Sequence, residues 1–78
     1  MTEALVYWIA TSESEIHFID AILSAYDGLA SVRREFRMAD GDTYYKVFVT
    51  EGMEEEFLEI LERLRKKAEI RDVRRGEL

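Results

Sequence analysis

Ala4 to Ala10 (ALVYWIA) is apolar at every position. A short unbroken run rich in aromatic and β-branched side chains predicts a strand buried on both faces. Thr11 and Ser12 then open a helix. Ser12 and Glu15 stand at capping-box spacing, each side chain placed to reach the other's free backbone N–H. Ile16, Ile19, Leu23 and Tyr26 follow at helical spacing with Ile22 alongside, which gives one apolar face. Gly28 is the residue expected just past the helix end, and Leu29 is placed to fold back on it.

Ala30 to Thr50 predicts a hairpin, because Asp40-Gly41 is a two-residue turn signal between alternating segments. That turn sets a register. It opposes Met38 with Thr43, Phe36 with Tyr45, Arg34 with Val47 and Val32 with Val49 on the core face. On the other face it opposes Arg37 with Tyr44, Glu35 with Lys46, Arg33 with Phe48 and Ser31 with Thr50. Glu35 and Lys46 are then an opposite-charge pair, and Arg37 is placed to lie over Tyr44.

A second helix is expected from about Met53 to Lys67, capped by Gly52 or Thr50, with Phe57, Ile60, Leu61 and Leu64 as its buried stripe. Glu54 to Glu56 suit its positive end and Arg65 to Lys67 its negative end. Glu59 with Arg63 and Glu62 with Lys66 are favourably ordered i,i+4 pairs. Glu69 to Arg74 (EIRDVR) predicts a weak strand whose charges suit a sheet edge.

The order β-α-β-β-α-β predicts an α+β, ferredoxin-like sandwich, with an antiparallel sheet of order 4-1-3-2 and both helices on one face. Residues 1–75 form one domain in this reading, and 76–78 a short tail. The other sheet face has no helix to cover it. The hairpin register gives it Tyr44, Lys46, Phe48, Arg33, Glu35 and Arg37. The first strand adds either Tyr7 with Leu5 and Ile9, or Trp8 with Val6. An unbroken apolar run leaves that phase open. Either way the face is expected to be apolar in the middle, and an exposed apolar patch on a small domain implies a partner.

Length and composition narrow the classes. At 78 residues the chain buries roughly 60–65% of its unfolded surface, so a monomer is marginal and gains from association. The absence of Cys excludes disulfides and thiolate metal sites, and a single His excludes a multi-histidine site. No apolar run approaches the ~20 residues of a membrane span. The first residues have no basic stretch of the secretory kind, so a cytoplasmic location is expected. The net charge of −6 disfavours nucleic acid as a general partner. Charge is unevenly placed, since residues 1–32 contain no Lys or Arg. Scarce Asn, Gln and Cys beside abundant Glu, Lys and Arg is a thermophile-like bias, although Pro is absent.

The remaining candidates have ordinary explanations. Arg34 falls in the core phase of its strand and must either snorkel past the sheet edge or be turned outward by a bulge. His17 sits in the first turn of its helix with no Ser or Cys pattern to activate, as a surface residue would. Glu13 and Glu15 are explained by capping and the helix dipole without acid–base chemistry. The basic run from Arg63 to Arg75 fits a solvated helix end and an edge strand. No phosphate loop, nucleophile elbow or metal motif is present, so no catalytic residue, metal or cofactor is expected.

Two resemblances follow. EIHFIDAILSAYDGLASVRR resembles the signature of a small uncharacterised bacterial domain family over about Val6 to Leu64, most specifically at Tyr26, Gly28, Leu29 and Ala30. The whole pattern is also similar to ACT domains, regulatory modules that bind amino acids at dimer interfaces. Where their loop after the first strand generally offers Gly or small residues, this chain has Ala10-Thr11-Ser12-Glu13. Together with the uncovered sheet face, the resemblance leads to the expectation of a non-enzymatic ACT-like module that forms a homodimer through that face and binds a small regulatory ligand there. Tyr44, Lys46, Phe48, Arg33, Arg37, Tyr7 and Trp8 are its candidate site. The alternative is single-stranded RNA binding. VYWIAT and TYYKVFVT loosely resemble the two aromatic motifs of RNA-recognition domains, without the Gly-rich start of the second.

Overall fold

The computed structural model describes residues 4–78, so the start of the expected domain at residues 1–3 lies outside the described residues. The elements are β1 (Ala4–Ala10), α1 (Glu13–Ser24), β2 (Ala30–Ala39), β3 (Asp42–Thr50), α2 (Glu54–Leu64) and β4 (Asp72–Arg75). The four strands form one antiparallel sheet of order β2-β3-β1-β4, the expected order read from its other edge. Among the described residues, no helix is long and apolar enough to cross a membrane.

Ser12 caps α1 as its sequence implies, its hydroxyl accepting from the Glu15 N–H at 3.3 Å. The helix ends at Ser24, short of Tyr26, which is exposed rather than part of the apolar stripe. Gly28 then takes φ +71°, the left-handed conformation that favours glycine, and brings buried Leu29 back to the core. Helix α2 is shorter than expected. It starts after Met53, which makes no side-chain cap, and beyond Leu64 the chain continues as turns through Lys67 to buried Ala68 and Ile70. Neither expected i,i+4 ion pair forms; Glu62 instead pairs with Arg65 at 3.7 Å. The fourth strand begins at Asp72, later than Glu69, because Thr11 Oγ1 donates to the Glu69 carbonyl and Arg71 N–H donates to the Ala10 carbonyl first.

Ile16, Ile19 and Leu23 of α1 and Phe57, Ile60, Leu61 and Leu64 of α2 share one core with Tyr7, Ile9, Val47 and Val49 of the sheet. Each such side chain, when fully buried, contributes about 1.5–3 kcal/mol. The phase left open by the all-apolar β1 is thereby fixed. Tyr7 and Ile9 face the helices, and Trp8 and Ala10 form a second cluster with Tyr44 on the opposite face.

The hairpin register is as expected near its turn, where Phe36 opposes Tyr45, Arg37 opposes Tyr44 and Met38 opposes Thr43. Asp40 at φ +50° and Gly41 at φ +77° supply the positive backbone angles that such a tight turn demands. Further along, a bulge corrects the expectation: Val32 opposes Val47 instead of Val49, and Ser31 opposes Phe48 instead of Thr50. Two surplus residues of β2 are absorbed between Val32 and Phe36. An even surplus keeps Val32 and Phe36 on the same face, while Arg33, Arg34 and Glu35 leave the regular ladder. Arg34 is therefore exposed, and it never opposes Val47.

Candidate functional site

The open sheet face is built from alternate residues of all four strands. Trp8 of β1 and Tyr44 and Phe48 of β3 make its floor, and the charged side chains lie over it. Lys46 Nζ stands 5.8 Å from the Trp8 ring centroid and 5.0 Å from that of Phe48. The Arg33 guanidinium stands 5.4 Å from the Phe48 centroid and that of Arg37 stands 5.2 Å from Trp8. Arg37 thus covers Trp8 rather than Tyr44, where Arg74 sits instead at 4.7 Å. Glu35 and Lys46, no longer direct ladder partners because of the bulge, still form an ion pair at 3.3 Å.

Six of the seven expected site residues meet on this face. The exception is Tyr7, on the helix side. Its ring packs on Phe57 with centroids 4.9 Å apart, and its hydroxyl donates to the Glu54 carboxylate, which also accepts from Arg75. Burial, followed by that carboxylate, pushes the Tyr7 hydroxyl up to about 12. Glu54 is held below the usual carboxylate range by the Tyr7 and Arg75 hydrogen bonds.

The expected exposed apolar patch is absent from the middle of the open face. Trp8 and Tyr44 are each only 2% exposed. Besides the cations, residues 76–78 cover them. Trp8 Nε1–H donates to the Gly76 carbonyl at 2.9 Å, Gly76 N–H donates to the Val6 carbonyl at 2.8 Å, and Leu78 packs on the Trp8–Tyr44 cluster. The expected tail is a structural cover. Asp72, Arg74 and Leu78 are contributors that the sequence pattern missed. Asp72 accepts from the Tyr44 hydroxyl at 2.6 Å and from Arg74 at 2.9 Å, which holds its carboxyl low and raises the Tyr44 hydroxyl. Their one sequence signal was the weak final strand, whose phase four residues do not define. Two other arginines of the basic run are likewise engaged, Arg71 by Asp42 at 2.8 Å and Arg75 by Glu54.

Exposed apolar surface lies on the other side of the hairpin. Phe36 and Met38 of β2 are 59% and 68% exposed. They belong to the arm in which β2 and β3 run past the helices. Between that arm and α1 lies an open groove of about 710 Å³. Ile16, Val32, Phe36 and Tyr45 give it apolar walls. Glu13, His17 and Asp20 line its α1 side and Arg33 and Arg34 its arm side. His17, expected on the surface, is exposed there. No family model, curated protein or solved structure matches the chain.

Proposed function

We propose that this chain is a non-enzymatic, ACT-like module of ferredoxin-like topology that works by self-association. One copy seats the β2–β3 arm of a second in its α1 groove, and the exchange is reciprocal. Phe36 and Met38 carry this reading. Phe36 lines the groove and Met38 lies cross-strand from groove-lining Thr43. Two large apolar side chains more than half exposed are the surface that a small, marginal domain gains by covering. Charge favours a second copy as the occupant. The α1 wall presents Glu13 and Asp20 and has no Lys or Arg, whereas the arm carries Arg33 and Arg34 at the groove. A self-complementary patch of this kind closes as a two-fold dimer.

Pairing along the free β2 edge is the simpler way to join two such sheets, but the bulge and the charges at 33–35 interrupt that edge. The open face is the weaker surface, because its rings are already covered by their own cations and by Leu78. Single-stranded RNA binding meets the same obstacle, since bases would have to displace that cover before stacking on Trp8 or Tyr44.

A charge swap tests the groove. Light scattering at high micromolar concentration is expected to show a dimer that Asp20→Arg weakens and that Asp20→Arg combined with Arg34→Asp restores. A monomeric wild type, or a double variant no tighter than the single one, overturns the proposal.

A further inference from the structure

We infer that the open face holds a site for a phosphate group, centred on Lys46 and flanked by Arg33 and Arg37. Lys46 and Arg37 lie away from the α1 groove, and Arg33 is the one cation of the three that also borders it. Lys46 is shared between two rings, Phe48 and Trp8, and each ring also carries one guanidinium, Arg33 and Arg37 respectively. Three cations thus stand over one aromatic floor, with Glu35 at 3.3 Å from Lys46 as the carboxylate that reaches them. Among the described residues, no carboxylate lies within 4 Å of Arg33 or Arg37. Arg74, the fourth cation of the face, differs in kind: Asp40 and Asp72 both engage it, so it is already neutralised.

Cations that only shield a ring from water do not need to be gathered three together beside a single carboxylate on a protein of net charge −6. Gathering them raises the local potential, and the apolar floor strips water from one side of each, which strengthens their pull on an anion. The chemistry selects phosphate over a lone carboxylate. Two planar guanidinium forks flanking a point-charge ammonium match a group with three acceptor oxygens and close to two negative charges. Glu35 is no barrier, because its side chain is 61% exposed and is free to turn to solvent as the anion enters. Free phosphate, a small phosphate ester and a nucleic-acid backbone share this chemistry.

Trp8 is the sole tryptophan and lies directly beneath Arg37 and Lys46, so the intact protein reports on the site by its own fluorescence. Titration with inorganic phosphate is expected to give a saturable change that sodium chloride at matched ionic strength does not. Arg37→Gln and Arg33→Gln should each weaken it about tenfold, the loss of one charge-assisted contact. Arg65→Gln, on the far helix, should leave it unchanged. A phosphate response equal to that of chloride, or one unaltered in both site variants, overturns the inference. An oligouridylate arm separates the sources. Binding of the oligomer with no response to free phosphate also overturns the site and assigns the face to RNA.

Discussion

Phe36 and Tyr45 oppose each other across the β2–β3 ladder with ring centroids 6.2 Å apart, yet Tyr45 packs against the helix-side core while Phe36 stays mostly in solvent. The pair marks where the sheet outgrows its helices. Past this point the hairpin has side chains of core type and no core to put them in. Its register is fixed by the Asp40-Gly41 turn, so the arm is a formed surface rather than a loose loop.

Phe36 is therefore expected to matter little to the monomer. Phe36→Ala should cost at most about 1 kcal/mol, the scale of one aromatic pair. Phe57→Ala, at a fully buried position, should cost ~3–5 kcal/mol. Urea unfolding at low protein concentration measures both, and equal losses would show that the arm is part of the monomer's core.

Tyr7 sets an alkaline limit. Its folded value of about 12 lies above the ordinary tyrosine value near 10, so the stability it contributes is whole below pH ~10. That contribution is lost as pH rises from there through about 12. Tyr44 is raised too, so part of the decline should remain in Tyr7→Phe. Urea midpoints should fall less steeply over this range in that variant than in the wild type. Superimposable profiles would refute the coupling.

The acid limit has the opposite sign. Asp42, Asp72 and Glu54 are held below their ordinary values by Arg71, by Tyr44 with Arg74, and by Tyr7 with Arg75. Groups with depressed folded values stabilise above their unfolded values, near 4, and lose that contribution as pH falls through the folded ones. Thermal midpoints should hold down to about pH 4 and then decline, less so in Asp42→Asn. A wild-type decline that begins well above pH 5 would contradict these assignments.

Removing residues 76–78 should uncover Trp8. The indole loses its Gly76 acceptor, a hydrogen bond of about 1 kcal/mol, along with the Leu78 contact. Its emission should shift to the red while far-ultraviolet circular dichroism keeps its shape. An unchanged emission maximum would mean that the cations alone shield the ring.

Local signals carried far in this chain. The Ser12–Glu15 cap, the helix stripes and the Asp40-Gly41 turn each name an element, and together they set the strand order. Two features resisted. The phase of β1 is invisible in a run apolar at every position, and it decides whether Tyr7 or Trp8 reaches the open face. The bulge was half visible, because Arg34 in a core phase marked a conflict. Its two-residue size depends on how the chain accommodates Arg33, Arg34 and Glu35 against β3. The cover over Trp8 was hidden for a different reason. Gly76 to Leu78 have no periodicity, and their place is set by one indole hydrogen bond and one leucine contact.

Light scattering on two single variants, run beside the wild type at high micromolar concentration, tests most directly where copies of this chain meet. Phe36→Glu places a charge on the exposed arm and Phe48→Glu places one on the open face. A dimeric wild type, a monomeric Phe36→Glu and a dimeric Phe48→Glu are the predicted results. A dimer that survives Phe36→Glu, or a wild type that is already monomeric, would contradict the account.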